Sequence, residues 1–257
     1  MLKIALAYLR FLTKSLHLHG IHSPFVYEFQ QRCVKDRNRY PEYKILEQHR
    51  MALLNRRDAI EVTDLGAGSR VFRSDVRSVR SVARNAGIGS HRQQLLFRLC
   101  RYFNIGSALE LGTSLGMGSL AIKLACPEVH LVTVEGCPNT AHVAEAEWLH
   151  TGVDGIDLRR QSFEEFFETL EEERFDLIYI DGDHSYAGTM AAFDRFEANC
   201  TENGMMIFDD IYWSQEMTRA WEEIRQNPRI SVSIDSFGWG IAFFRREQEK
   251  QHFYLRV

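Results

Sequence analysis

Five carboxylates and one histidine in the second half of this 257-residue chain stand where they can do chemistry. Glu110 is followed by Leu111-Gly112-Thr113-Ser114-Leu115-Gly116-Met117-Gly118, a glycine-rich turn. Glu135 closes the apolar run Leu131-Val132-Thr133-Val134. Asp181 closes Leu177-Ile178-Tyr179-Ile180 and leads into Gly182-Asp183-His184. Asp209 and Asp210 close a fourth run, 204–208. A glycine turn after a strand lets a nucleoside-sized molecule approach the backbone, and an acid at the next strand tip suits a ribose diol. Asp181, Asp209 and Asp210 are hard oxygen donors of the kind that hold Mg²⁺. Such a cation would acidify and orient a bound hydroxyl. His184 can take a proton near neutral pH.

Glu110 narrows what the turn can bind. It lies where a dinucleotide would bring its pyrophosphate, and a carboxylate there repels phosphate. A molecule with a ribose and a positive charge fits better, and S-adenosylmethionine, with its sulfonium and ammonium groups, is one. The same turn also fits the GxxxGxG pattern of short-chain NAD(P) dehydrogenases. Those enzymes need a Tyr-x-x-x-Lys pair after the turn, and here that spacing occurs only at Tyr40 and Lys44, before it.

The elements that must position these residues follow from pattern. Strands are expected at 107–111, 130–134, 156–160, 175–180, 204–208, 230–235 and 240–245. Helices are expected at 116–125, 139–151, 163–173, 186–200 and 214–226. Alternation of this kind implies a doubly wound α/β sheet, mostly parallel. The last two strands are too closely joined for a crossover, so they form an antiparallel hairpin. The fold class is a seven-stranded, Rossmann-like sheet preceded by a helical N-terminal extension, with residues 1–106 as extension and 107–257 as cofactor-binding domain. In the extension, helices are expected at 2–16, 24–34 and 41–57. Arg70, Arg73, Arg77, Arg80 and Arg84 recur at helical spacing opposite Phe72, Val76, Val79 and Ala83, which reads as an arginine-striped helix. Asp64-Leu65-Gly66-Ala67-Gly68-Ser69 resembles a nucleotide loop, but no acid-tipped strand follows it before Ser107, so it reads as a turn and helix cap.

Composition sets the surroundings. Residues 1–106 carry 19 Lys and Arg against 8 Asp and Glu; residues 107–257 carry 12 against 27. A basic front and an acidic back can neutralise each other, or the front can attract an anionic substrate. Nucleic acid is the weaker expectation. The five cysteines show no CxxC spacing, which fits reduced thiols and a cytoplasmic location. No run of 18 apolar residues occurs, so no membrane helix is expected. The apolar start is interrupted by Arg10 and Lys14 and lacks a cleavage site, so it is not read as a signal peptide. His17-x-His19-x-x-His22 is a weak metal pattern, without acids or cysteines at fixed spacing.

With these residues in view, the chain resembles the class I S-adenosylmethionine-dependent methyltransferases. From Gly89-Ser90-His91-Arg92-Gln93-Gln94-Leu95-Leu96 to about Phe244 it is similar, more narrowly, to cation-dependent O-methyltransferases of the catechol and caffeoyl-CoA type. The resemblance implies that Glu110, Gly112, Thr113, Ser114 and Gly116 hold the methionyl part, that Glu135 binds the ribose and that Ser162 contacts adenine. It implies that Asp181 faces the cofactor and, with Asp209 and Asp210, a divalent metal. His184 falls where catechol-type enzymes carry a lysine base, and Asp210 where the family carries asparagine. The expected acceptor is a small molecule, anionic or aromatic, with Tyr212, Trp213 and Trp239 as candidate walls. The expected assembly is a homodimer. The rival reading is a non-catalytic S-adenosylmethionine-binding module whose basic extension binds a partner.

Overall fold

Local sequence accounts for most element boundaries. The computed structural model describes residues 2–16, 20–63, 74–170 and 172–257. Helix α1 is Leu2–Lys14. Ser23 caps α2 (Pro24–Phe29), whose Pro24 suits a first turn that needs no amide donor. One turn of wider π-helix, Gln30–Val34, ends it. Helix α3 is Glu42–Asn55. Strands β1 (Ala59–Glu61) and β2 (Val76–Ser78) pair antiparallel. Ser78 then caps α4 (Val79–Asn85). Helix α5 (Ser90–Phe103) stops at Asn104, which takes the left-handed conformation common at helix ends.

Strand–helix alternation follows: β3 (Ser107–Leu111), α6 (Met117–Ala125), β4 (His130–Val134), α7 (Pro138–Thr151), β5 (Ile156–Arg159) and α8 (Phe163–Thr169). Then come β6 (Phe175–Ile180), α9 (Tyr186–Phe196), β7 (Cys200–Asp209) and α10 (Gln215–Ile224). Strands β8 (Val232–Asp235), β9 (Trp239–Phe243) and β10 (Gln251–Tyr254) close the chain. Eight of the strands form one mostly parallel sheet. Its inner strands are buried along nearly their whole length, because helices cover both faces of a parallel sheet.

The residues fall into two compact units, Asp36–Glu171 and a discontinuous one made of Met1–Lys35 with Glu172–Val257. In the first, β3, β4 and β5 run parallel in that order, and α5 packs beside α6. Leu95, Leu96, Phe97 and Leu99 of α5 are fully buried, each side chain contributing roughly 1.5–3 kcal/mol. In the second, the order is β10-β8-β9-β7-β6, with β7–β9 and β8–β9 antiparallel. The hairpin predicted from its short link is present as β8–β9, joined by Ser236, Phe237 and Gly238.

Two sequence expectations are corrected. The sheet has eight strands, because β10 adds to β8 in parallel. The extension is mostly helical, as expected, and also contains the short β1–β2 pair. The arginine stripe is not one helix: Val76 and Arg77 lie in β2, and helix begins only at Val79. Pairing with β1 outweighs the helical spacing there, and the Ser78 cap sets the start. Arg70, Phe72 and Arg73, the loop 64–69, and His17 and His19 lie outside the described residues.

Candidate functional site

In the unit Asp36–Glu171 the glycine turn after β3 is tied to the tip of β4. The amides of Gly112 and Thr113 both donate to the Val134 carbonyl, at 3.0 and 3.2 Å. Gly112 and Gly116 have φ of 101° and 75°, and Ser114 has φ of 48°. The turn thus rests on left-handed backbone, which glycine adopts without strain. Gly116 has a second constraint. A Cβ there would lie 2.4 Å from Trp148 Nε1, and that indole N–H donates to the Gly116 carbonyl at 3.0 Å. Trp148 is the buried floor of the turn.

Glu135 locks onto this turn. Its Oε2 accepts the Ser114 amide at 2.7 Å and its Oε1 the Cys137 amide at 2.9 Å. Each carboxylate oxygen has a second lone pair, so bonds from a diol remain open to it. Burial pushes the Glu135 carboxyl up, while the Cys137 and Ser114 amides and the Thr140 hydroxyl pull it back. Glu110 is only 1% exposed. Its Oε2 accepts hydroxyls from Ser119 and, at 2.7 Å, from Thr133, and Thr133 Oγ1 lies 2.6 Å from Thr113 Oγ1. Burial pushes the Glu110 carboxyl up to about 7, against the Ser119 and Thr133 hydroxyls that lower it. Ser162 caps α8: its hydroxyl accepts the Glu165 amide at 3.2 Å, and the Glu165 carboxylate accepts the Ser162 amide at 2.8 Å.

In the discontinuous unit the acids stand at the ends of β6 and β7. Asp181 follows β6, and its Oδ1 lies 3.8 Å from His184 Nε2. The two side chains are about a fifth and a quarter exposed, and the Trp213 ring lies 6.2 Å from the His184 ring. Ser185, rather than His184, caps α9, accepting the Gly188 amide at 3.0 Å. Asp183, with φ of 39°, lays its carboxylate over Gly188 so closely that a Cβ there would meet it at 1.8 Å. An acid at a helix N-terminus is favourably placed, which makes Asp183 a turn acid.

Tyr179 is a site residue the sequence pattern did not single out. It shares strand parity with Asp181 and is 1% exposed. Its hydroxyl lies 3.2 Å from Asp181 Oδ2 and 3.1 Å from Asp209 Oδ2. Asp209 is 3% exposed, and its Oδ1 accepts the Asp210 amide at 2.7 Å. Asp210 turns left-handed, with φ of 50°. Among the described residues no group of three or more His, Cys, Asp or Glu side chains is placed to hold a metal ion. Asp181 and Asp209, two of the three acids expected at a metal, both lie against the Tyr179 hydroxyl. Two of the candidate substrate walls are structural: Trp239 is fully buried, and Tyr212 donates to Asp235 at 2.7 Å and stacks on Phe237. Trp213 is half-buried beside His184.

Residues 109–211, which contain the glycine turn and all five acids, match a family model described as a methyltransferase domain. This stretch is similar to a methyltransferase domain. A probable O-methyltransferase of Mycobacterium tuberculosis is 40% identical over 67 residues, 26% of this chain and 29% of that protein. Catechol O-methyltransferase domain-containing protein 1 of Mus musculus is 29% identical over 130 residues, 48% of this chain and 49% of that one. The chain thus spans less than half the length of either curated relative. The SAH-bound methyltransferase of Podospora anserina superposes with a TM-score of 0.64 at 17% identity, over 88% of this chain and 97% of that one. At that identity the likeness shows the fold, which is the Rossmann-like class I methyltransferase fold. Among the described residues no helix is long and apolar enough to cross a membrane.

Proposed function

We propose that this chain is an S-adenosylmethionine-dependent O-methyltransferase acting on a small molecule. The observation that carries the reading is the Glu135 carboxylate bonded to the Ser114 amide of the glycine turn. It presents an acid for a ribose diol beside a turn open to a small cationic group. The matched family model and the SAH held by the neighbour of the same fold support it. In this reading Gly112, Thr113, Ser114 and Gly116 line the methionyl part, and Glu110 offers its ammonium a carboxylate. Ser162 meets the adenine. When bound, the cofactor supplies an electrophilic methyl on sulfur.

His184 takes the proton of the acceptor hydroxyl as the oxygen–methyl bond forms and the sulfur–methyl bond breaks. The acceptor leaves as its methyl ether, the cofactor as its neutral thioether, and one proton is released from His184 to solvent. Asp181, 3.8 Å from the imidazole, stabilises the charge that His184 gains. Trp213 beside His184 suits an aromatic acceptor. The acceptor is small, and the reading carries no nucleic-acid partner; a homodimer in the cytoplasm fits it.

Calorimetric titration with S-adenosylmethionine and S-adenosylhomocysteine tests the first half, and failure of both to bind would sink the reading. Turnover on a panel of catechols tests the second. His184→Ala should slow turnover by ~10²–10⁴-fold while cofactor affinity stays within about threefold. Unchanged turnover would remove His184 as base.

A further inference from the structure

Two of the three carboxylates that look like a cation site in the sequence share a different partner. Tyr179 lies on the buried strand β6, 1% exposed, and its ring meets Trp239 edge-on with centroids 6.0 Å apart. A buried phenol needs hydrogen-bond partners. The partners here are the two acids at the tips of β6 and β7, Asp181 Oδ2 at 3.2 Å and Asp209 Oδ2 at 3.1 Å. A hydroxyl has one proton, so it donates to one carboxylate at a time while lying within hydrogen-bond reach of both.

We propose that the Tyr179 hydroxyl is the bridge between Asp181 and Asp209, standing where a divalent cation would otherwise join them, and that the chain therefore works without bound metal. Two observations, set against what Mg²⁺ requires, converge on this. Mg²⁺ demands several oxygens at about 2.1 Å in a near-octahedral array. Here one oxygen of Asp181 and one of Asp209 both lie against a single phenol oxygen, whose ring is held edge-on to Trp239. The second oxygen of Asp209 is bonded to the Asp210 amide. Tyr179 is thus a positioning residue: with Oδ2 of Asp181 fixed, Oδ1 is the atom that lies 3.8 Å from His184.

The positioning role rests on the methyl-transfer reading; the exclusion of metal does not. The test is Mn²⁺ titration of the purified full-length chain, followed by loss of the free-ion electron paramagnetic resonance signal. The wild type should bind no Mn²⁺ below concentrations on the order of 1 mM. Tyr179→Phe removes the shared proton donor and leaves two facing carboxylates, so it should bind Mn²⁺ at least ~10-fold more tightly. Wild-type binding near ~0.1 mM or tighter that is lost in Asp181→Asn would overturn the proposal. So would a folded Tyr179→Phe that binds Mn²⁺ no better than the wild type. The wild-type titration decides the matter even if the variant fails to fold. Failure of S-adenosylmethionine to bind would sink the proposed function and leave the Mn²⁺ result standing.

Discussion

Glu110→Gln should change how stability depends on pH. Glu110 sits 1% exposed at the end of β3, and burial raises its carboxyl from an ordinary 4.5 to about 7. The folded chain therefore keeps this proton up to about pH 7, while the unfolded chain gives it up near 4.5. The stability linked to it is fully present below about pH 4.5 and is lost as pH rises through about 7. At ~1.4 kcal/mol for each tenfold step, the loss comes to about 3 kcal/mol. Glutamine keeps an acceptor for the Ser119 and Thr133 hydroxyls and carries no charge. Urea unfolding of wild type and variant, followed by circular dichroism at pH 5 and pH 8, reads the effect. The variant should gain about 3 kcal/mol on the wild type between those two values, other titrating groups cancelling in the difference. Parallel behaviour within ~1 kcal/mol would refute the claim that burial governs this carboxyl. A linked result concerns the cofactor. If its ammonium needs an ionised Glu110, S-adenosylmethionine should bind the wild type up to ~10-fold more tightly at pH 8 than at pH 6, and the variant should lose that dependence.

Gly116→Ala should destabilise the chain by about 4 kcal/mol, from left-handed strain, a Cβ thrust into Trp148 and a weakened Trp148–Gly116 hydrogen bond. Thermal melting checks it, and an unchanged midpoint would show that Trp148 yields freely. His49 is 1% exposed with no partner for either ring nitrogen, and burial lowers it to about 4, the Arg50 charge acting the same way. Its contribution is present above about pH 6.5 and lost as pH falls toward 4, so His49→Leu should spare the chain about 3 kcal/mol of acid destabilisation at pH 4. A matching loss in the variant on acid titration would count against it.

The strands that carry the candidate cofactor residues were legible because their signals are local. Strands buried on both faces read as unbroken apolar runs, and the acids that end them stand out at once. The strands 107–111, 130–134 and 175–180 match β3, β4 and β6 residue for residue. What the sequence concealed depends on distant partners. Gln251-His252-Phe253-Tyr254 is short and mostly polar, and becomes a strand only by adding to β8. Val76–Ser78 has helical spacing but is claimed by Ala59–Glu61. Tyr179 was concealed because it counts as one more apolar position in a buried run, and its hydroxyl matters only once Asp209 lies across from it. The Tyr179 contact behind our metal proposal was hidden for the same reason: residue types suggested a cation, and the hydroxyl beside Asp181 and Asp209 shows only in the fold.

The discontinuous unit also bears on how this chain is made. Arg256 Nε donates to Ser15 Oγ at 2.8 Å across 241 positions, and the Leu16 amide donates to the Tyr254 carbonyl at 2.9 Å. Phe11 of α1 is buried among Phe237 and Tyr254. During synthesis at ~5–20 residues per second, this leading segment waits roughly ten to forty seconds before its partners leave the ribosome. Through that interval Phe11 and its apolar neighbours have nothing to pack against. The nascent chain is then a natural client for a holding chaperone, and slowing translation after Lys35 should lengthen its exposure and lower the soluble yield.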